Sequence, residues 1–299
     1  TVAAAGSTTA ALAVGGTTGV GPGSTQTGLT NVESYNGSSW SETTEINTGR
    51  KQGTSFSGGP APTMILVGGA SGSTLYANTE TYNGSAWTEI TDINTARSTL
   101  GGAGQAQTDG LVFGGSVPAN TAVTEQWNGT TWTELADLST ARSTLVGSGT
   151  GAASALATGG YSTTYVSASE EFTAPSDFTQ INLGQVYFNS TANAFKVTEQ
   201  PIPAGTWAST SGLNTGRQGI QNRGGGTNTQ GFIVGGLEPS LSAKTETWNG
   251  SAWTEAGDTP SGFRGGMATG SYTSGLTGGG DVGGVTAECD TWDGSSWTE

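Results

Sequence analysis

The sequence predicts an all-β protein in which six blades, each of four short antiparallel strands, form a propeller. Three features predict this fold: paired glycines, a column of tryptophans and a second aromatic column, each recurring once per unit along the 299 residues. Recurrence at a near-constant interval is the signature of repeat architectures. Four strands per unit cannot bury both faces of a sheet alone, whereas sheets stacked around an axis do so. An open solenoid stays as the alternative, because a repeat pattern does not prove closure.

The three columns define the six units. A glycine pair ends each predicted second strand, at Gly15-Gly16, Gly68-Gly69, Gly114-Gly115, Gly159-Gly160, Gly235-Gly236 and Gly278-Gly279. Each predicted fourth strand carries a tryptophan, at Trp40, Trp87, Trp132, Trp207, Trp253 and Trp297. The predicted third strands carry Tyr35, Tyr82, Trp127, Phe172, Trp248 and Trp292. We therefore expect a single domain over 1–299, with blades at about 1–46, 47–92, 93–137, 138–212, 213–257 and 258–299. The aromatic side chains are expected to lie between successive sheets.

Turn residues support the same division into strands. Asn-Gly or Asp-Gly joins the third and fourth strands in five units, at Asn36-Gly37, Asn83-Gly84, Asn128-Gly129, Asn249-Gly250 and Asp293-Gly294. These dipeptides tolerate positive φ and are strong signals of a β-hairpin. The first strand of each unit is small and glycine-rich, as expected next to a crowded axis.

Composition narrows the classes of partner. The chain has 52 glycines and few charged residues, but its nine tryptophans at regular positions indicate an organised core rather than disorder. A net charge of −14 disfavours binding to nucleic acid or to anionic membranes. No apolar run is long enough for a transmembrane helix, so no membrane insertion is expected. Thr1 is followed by no signal-peptide pattern, and we expect the chain to begin inside a longer or processed polypeptide.

One interval is long and predicts an insertion. Trp132 and Trp207 are 75 residues apart, against 44 to 47 elsewhere. Alternating apolar residues at 186–197 predict a β-hairpin inserted in blade four, within 180–205. Two interpretations stay open: the hairpin covers a blade edge or packs on a neighbouring chain, or it contacts a receptor, with Tyr187 and Asn189 as candidate ligand-binding residues.

The repeat resembles the kelch family of β-propellers. Its pattern is carried by AR at 96–97, LVFGG at 111–115, TEQWNG at 124–129 and TW at 131–132, and it recurs over nearly the whole chain. The resemblance implies a six-bladed kelch-type β-propeller and says little about chemistry. The phrases TETYNGSAWTE, NTARSTLGGAG and GQVYFNSTANAFKV also resemble glycine-rich, kelch-like structural or tail-associated proteins of marine tailed phages. That likeness implies a place on the virion surface and a part in host attachment.

A column of arginines is the first candidate site. Arg50, Arg97, Arg142, Arg217 and Arg264 each precede a first strand, near one predicted mouth of the channel. Together they would form a ring that binds carboxylates or other anions. The alternative is pairing inside the blades with a column of acids, at Glu33, Glu80, Glu125, Glu170 or Glu171, Glu246 and Glu288.

Loop tyrosines are the second candidate site. Tyr76, Tyr161 and Tyr165 lie between a glycine pair and a third strand, outside both aromatic columns. Exposed phenol rings would stack on sugars and donate a hydrogen bond, which suits a glycan receptor. Ordinary loop packing is the alternative.

Catalysis is disfavoured by the residue inventory. The chain has no histidine, which excludes imidazole bases, histidine-dependent triads and histidine-ligated metals. No cofactor or metal site and no catalytic residue is predicted. A glycosidase with two carboxylates stays open, because Asp and Glu on different blades can meet.

These observations favour a non-catalytic binding module on a phage virion surface, in a tail or fibre. Its expected partner is a host-surface glycan or protein, or other virion proteins, with a homo-oligomer formed through the parent chain as a further alternative. A structural protein that decorates or cements the virion without a receptor role is the second interpretation. A glycan-degrading enzyme is the third.

Overall fold

A computed structural model describes residues 2–18, 26–57, 63–174, 205–220 and 224–299, together with the backbone of 186–189 and 194–197. These residues form strands, turns and loops, and no helix occurs among them. Six four-stranded antiparallel sheets, each made of strands from one repeat, are arranged as a β-propeller. The predicted fold class is therefore confirmed.

The strands of the first three blades follow in chain order. Blade one contains β1 (Ala3–Ser7), β2 (Ala10–Val14), β3 (Val32–Tyr35) and β4 (Trp40–Glu42). Blade two contains β5 (Thr54–Ser57), β6 (Met64–Val67), β9 (Thr79–Tyr82) and β10 (Trp87–Ile90), with the small hairpin β7 (Ala70–Ser71) and β8 (Thr74–Leu75) between β6 and β9. Blade three contains β11 (Gly101–Ala106), β12 (Asp109–Phe113), β13 (Thr124–Trp127) and β14 (Trp132–Glu134).

The other three blades repeat this order. Blade four contains β15 (Val146–Gly151), β16 (Ser154–Thr158), β17 (Ser169–Thr173) and β20 (Thr206–Thr210). Blade five contains β21 (Gly224–Gly226), β22 (Gly231–Val234), β25 (Thr245–Trp248) and β26 (Trp253–Glu255), with the small hairpin β23 (Leu237–Glu238) and β24 (Ser240–Leu241). Blade six contains β27 (Met267–Ser271), β28 (Ser274–Asp281), β29 (Val285–Trp292) and β30 (Trp297–Thr298).

The insertion of blade four contains one pair of strands. β18 (Val186–Asn189) and β19 (Ala194–Val197) are antiparallel, with Val186 opposite Val197. Tyr187 and Asn189 lie on β18, but their side chains lie outside the described part of the chain, as does the rest of 175–204.

The hydrophobic core lies between the blades rather than inside any one of them. Six clusters of buried side chains occur, and each draws its members from two neighbouring blades. Within a blade, the two aromatic residues of the third and fourth strands lie directly opposite each other, as Trp248 and Trp253 do at a ring-centroid distance of 5.4 Å. The predicted position of the aromatic columns between sheets is confirmed.

Indole hydrogen bonds tie each of blades two to six to the blade before it. Trp87 and Trp132 donate through Nε1 to the backbone oxygens of Thr44 and Thr91, at 3.0 Å in both cases. The tryptophans of blades four to six donate instead to a hydroxyl on the preceding third strand. These bonds are Trp207 to Thr124 at 3.1 Å, Trp253 to Ser169 at 3.1 Å and Trp297 to Thr245 at 2.8 Å.

The ring closes by direct packing of blade six against blade one. Met267 and Leu276 of blade six share a cluster with Ala11 and, at its edge, with Trp40 of blade one. The hydroxyl of Thr269 donates to the backbone oxygen of Gly6 at 2.7 Å. Burial raises the pKa of the Cys289 thiol, and a hydrogen bond with Trp40 across the seam opposes that rise. An open solenoid is thereby excluded.

In the five blades without the insertion, the third and fourth strands are joined by four-residue loops, not by the two-residue turn that Asn-Gly alone suggests. In the loop of residues 36–39, Oδ1 of Asn36 accepts the backbone N–H groups of Ser38 and Ser39, both at 3.0 Å. Gly37 has φ of 95°, a conformation that favours glycine. Asp293 takes the same role in blade six, with 2.8 Å bonds from Ser295 and Ser296.

We expect Trp253→Ala to destabilise the propeller far more than Trp40→Ala. Trp253 is 7% exposed and bonded to blade four, and emptying such a site costs about 3–5 kcal/mol. Trp40 is only partly buried, so its removal leaves a smaller void. Denaturant midpoints of the two variants measure the difference. Equal shifts would contradict the assignment of the core to the interfaces between blades.

We expect Asp293 to titrate well below the ordinary aspartate pKa. Hydrogen bonds from Ser296 and Ser295 lower its pKa to about 2. Because the folded value is depressed, the ionised turn contributes stability above the ordinary aspartate pKa of about 3.9, and this contribution is lost as the pH falls through the folded value. NMR titration of the side-chain carboxyl measures it. Asn stands at this position in four other turns, so Asp293→Asn should keep the turn and remove this acid dependence. An ordinary pKa for Asp293 would show that its hydrogen bonds within the turn do not form.

Candidate functional site

The central channel forms a cavity that offers little chemistry. It has a volume of about 330 Å³ and is lined by the six first strands, mainly by glycine and alanine. Its polar side chains are Ser55, Gln105, Ser148 and Thr269, and no charged residue lines it among the described positions. The small inner-strand residues predicted from the sequence therefore serve close packing at the axis, and the channel can offer hydrogen bonds only.

Four of the predicted arginines form buried ion pairs within their own blades. The pairs and their N–O distances are Arg50–Glu80 at 2.7 Å, Arg97–Glu125 at 3.0 Å, Arg142–Glu170 at 3.0 Å and Arg217–Glu246 at 2.9 Å. All eight side chains are at most 2% exposed. Burial lowers the pKa of each guanidinium, and the paired glutamate opposes that shift.

An asparagine completes this network, and sequence reasoning missed it. Asn47, Asn94 and Asn214 each donate both the backbone N–H and the side-chain amide to one oxygen of the paired glutamate, at 2.7–2.9 Å. In blade four Ser139 donates only its backbone N–H, at 2.8 Å. The signal was present in the sequence as the recurring run Asn/Ser-Thr-Gly/Ala-Arg at 47–50, 94–97, 139–142 and 214–217. This run is the connector that leads into each blade.

The anion-binding ring predicted from the sequence is therefore not formed by Arg50, Arg97, Arg142 or Arg217. Their guanidinium groups face glutamates inside the blades, since pairing satisfies charges that would otherwise be buried alone. For the same reason Glu80, Glu125, Glu170 and Glu246 are held in ion pairs and are not exposed carboxylates of the kind a glycosidase uses.

Blade six departs from the pattern. The predicted Arg264 lies one residue after the position that arginine occupies in blades two to five. The backbone oxygen of Phe263 accepts from Gly236 at 2.8 Å, just as that of Arg217 accepts from Gly160 at 3.1 Å. Phe263 thus occupies the arginine position. Arg264 pairs instead with Asp281, through Nε and Nη2 at 3.0 Å each, and its side chain is 36% exposed.

Two other columns shift in blade six. The glycines with positive φ at the end of the second strand are Gly279 and Gly280, not the predicted Gly278-Gly279. Asp290, two residues before Trp292, takes the position of Glu246 before Trp248. The predicted Glu288 is exposed beside it.

One face of the propeller is built from the loops between second and third strands, which we call the loop face. It contains the hairpins at 70–75, 116–120, 161–165, 237–241 and 281–285. Neighbouring loops bond to each other: Asn120 donates to the backbone oxygens of Tyr161 and Ser162 at 3.0 and 2.7 Å. On the opposite face, the described residues form short turns rich in Ser, Thr, Asn and Gly.

The three predicted tyrosines lie on the loop face but differ in environment. Tyr161 and Tyr165 face each other across their hairpin, with ring centroids 6.2 Å apart in an edge-on arrangement. Tyr161 is 36% exposed. Tyr76 is partly buried, and its backbone oxygen accepts from Arg97 at 3.2 Å. Tyr161 and Tyr165 therefore present an aromatic surface. Tyr76 instead contacts the connector of blade three, through the hydrogen bond between its backbone oxygen and Arg97.

Exposed apolar surface concentrates on the loop face. The large apolar side chains that are exposed in the described part of the chain are Tyr161, Val282 and Val285. Tyr161 and Val282 lie in loops between second and third strands, and Val285 is the first residue of β29, so the three belong to blades four and six. Val285 is 61% exposed. The exposed large apolar side chains of the described residues therefore lie on one face of the propeller, in two separate blades.

Metal and membrane sites are not found in the described residues. No group of three or more Cys, Asp or Glu side chains there has the spacing to hold a metal ion. The described segments also contain no helix that is long and apolar enough to cross a bilayer.

Comparison with known proteins identifies the fold. No family model and no curated protein matches the chain. The solved structure described as "Structure of YjhT" is similar, with a TM-score of 0.66 over 99% of this chain and 96% of that one. At 12% identity this likeness shows a shared β-propeller fold and nothing of shared function.

We expect Arg217→Met to destabilise the fold by about 3–5 kcal/mol, because Glu246 would be left buried without its cation. Arg264→Met is the matched control. It should lower the free energy of unfolding by only about 0–1 kcal/mol, because the ion pair of Arg264 with Asp281 is partly exposed. The double variant Arg217→Met/Glu246→Met should recover much of the loss. Denaturant midpoints test all three. If Arg217→Met lowers the denaturant midpoint as little as Arg264→Met does, the buried ion pair does not hold the connector.

Proposed function

We propose that this propeller is a non-catalytic binding module that recognises a glycan or a protein on a host surface through its loop face. The observation that carries the proposal is that, within the described part of the chain, the exposed large apolar side chains lie on that face. Apolar and aromatic surface next to polar backbone suits both sugar rings and protein partners.

The charge distribution supports a binding role over a catalytic one. Four of the repeat-register glutamates are neutralised by arginines inside the blades. The channel lacks charged residues among the described positions, so it offers no general acid or base. The loops of the loop face vary from blade to blade, and on repeat scaffolds binding surfaces are built from such variable loops.

We propose further that the chain is a kelch-type propeller displayed on the virion of a tailed phage, in a tail or fibre. Support comes from the six recurring units and from the phrases that resemble structural proteins of marine phages. The connector run, the glycine pair and the Glu-x-aromatic strand all have defined roles in each regular blade.

Adsorption of the purified chain to candidate host cells, together with a glycan array, tests this function. The double variant Tyr161→Ser/Val285→Ser should weaken binding about tenfold or more, since it removes exposed contact surface equivalent to at least 1.4 kcal/mol. Ser38→Ala, on the opposite face, is the control and should bind as the unaltered chain does. Absence of adsorption and of any array signal would favour a structural virion role instead.

A deletion of 184–200 locates the site relative to the insertion. If the loop face carries the contact, adsorption persists after deletion. If adsorption is lost while thermal unfolding stays unchanged, the contact belongs to the insertion and the loop-face assignment is wrong. New reducing ends on incubation with host polysaccharide would overturn the non-catalytic proposal.

A further inference from the structure

The outer edge of blade four differs from the outer edges of the other blades. Its fourth strand, β20, pairs with β17 along all five residues from Thr206 to Thr210. The fourth strands of the other blades contain two to four residues. β20 is the last strand of its sheet, and no described strand pairs with its other side. Because alternate residues of an edge strand have unpaired N–H and C=O groups, β20 presents a longer row of free backbone groups than any other described strand at the rim.

β20 also lacks the acids that other outer strands carry. In four blades the second residue after the fourth-strand tryptophan is an exposed glutamate, and the fifth is Glu or Asp. These pairs are Glu42 and Glu45, Glu89 and Asp92, Glu134 and Asp137, and Glu255 and Asp258. Blade four has Ser209 and Gly212 at these positions. The equivalence is structural, because Ser209 lies opposite Glu170 as Glu255 lies opposite Glu246.

The two differences together leave this edge open to another strand. Short length and outward charge are means by which proteins prevent exposed edge strands from pairing with other chains. Blades one, two, three and five have both, whereas blade four has neither. Thr206, Ala208 and Ser209 are exposed and have small side chains, so a second backbone can approach to the usual strand spacing of about 4.8 Å. Trp207 does not obstruct it, because its indole is bonded to Thr124 of blade three.

Charge and symmetry select a second copy of this chain as the occupant. A basic segment would be attracted to the acidic edges of the other blades, whereas an uncharged edge suits an uncharged strand, and β20 itself is one. At a net charge of −14, two copies repel each other least where neither presents an acid at the contact. Antiparallel pairing about a two-fold axis would place Ala208 opposite Ala208 of the second copy, and Trp207 opposite Ser209.

We propose that the outer edge of blade four is an interface between two copies of this chain. Their β20 strands pair in antiparallel register and join two four-stranded sheets into one sheet of eight strands. Two five-residue strands form a small interface, so the dissociation constant should be about 10–100 μM. Copies held together in a larger assembly would pair more completely, because their effective concentration is higher. The interface lies at the rim of the propeller and goes beyond the proposed host-surface function.

Sedimentation equilibrium over a range of concentrations tests the proposal, and we expect a monomer–dimer equilibrium. Ser209→Glu introduces the residue that four other blades carry at this position, so the fold should be kept, with an unchanged thermal midpoint. Its dissociation constant should rise at least about tenfold, because two glutamates meet near the two-fold axis. Thr254→Glu is the matched control. It adds the same charge to the outer strand of blade five and should change the dissociation constant by less than about twofold.

Disulfide trapping tests the register. In a Cys289→Ser background, Ala208→Cys would place two thiols opposite each other at a Cα separation of about 4.5–5.5 Å, which a disulfide can span. Oxidation by oxygen should convert this variant to a covalent dimer that a thiol reductant reverses. Thr254→Cys in the same background should stay monomeric.

Three results would each overturn the proposal. The first is sedimentation of the unaltered chain as a monomer up to about 1 mM. The second is an equal effect of Ser209→Glu and Thr254→Glu, which would place the contact elsewhere. The third is a failure of Ala208→Cys to form the covalent dimer. Host adsorption is not read in these experiments, so either proposal can fail without the other.

Discussion

The contact on which the whole propeller depends is that between the aromatic pair of each blade and the sheet before it. A four-stranded sheet with strands this short cannot bury its own apolar side chains. The third- and fourth-strand aromatics stack across the strands, and indole N–H groups in blades two to six bond to the preceding blade. Trp40 of blade one and Cys289 of blade six lie in the same cluster, so packing of the same kind between blades six and one closes the ring.

The buried arginines serve this architecture. Each of four connectors must cross from the outer strand of one blade to the inner strand of the next. A network of Asn, Arg and Glu holds three of them there, and Ser139 takes the place of the asparagine in the fourth. Removing such an ion pair from water costs desolvation free energy. The pairs therefore fix the position of the connector more than they add to the net stability of the fold. Connectors held in this way set the positions of the loops that they touch, as the bridge between Ser143 and Tyr161 illustrates.

Departures from the repeat mark the places where function is expected. Blades two to five keep the connector network, whereas blade six has Phe263 in the arginine position and Asp290 in the glutamate position. The exposed apolar residues also lie in blades four and six. A regular repeat reflects packing constraints shared by every blade, and a local exception without an evident packing gain is the more informative feature.

The sequence by itself determined the class of fold, the number of blades and the location of the insertion, because the interval between aromatic residues directly reflects the stacking of sheets. It also contained the connector run, whose asparagine was overlooked because its role depends on a glutamate some 30 residues away. Only the tertiary structure decided which charges are buried and which residue of blade six takes the arginine position. Matching residue types aligned Arg264 with the column, but backbone hydrogen bonds place Phe263 there. In an extended chain a shift of one residue turns the side chain to the opposite side, so residue type alone could not tell a buried ion pair from an exposed one.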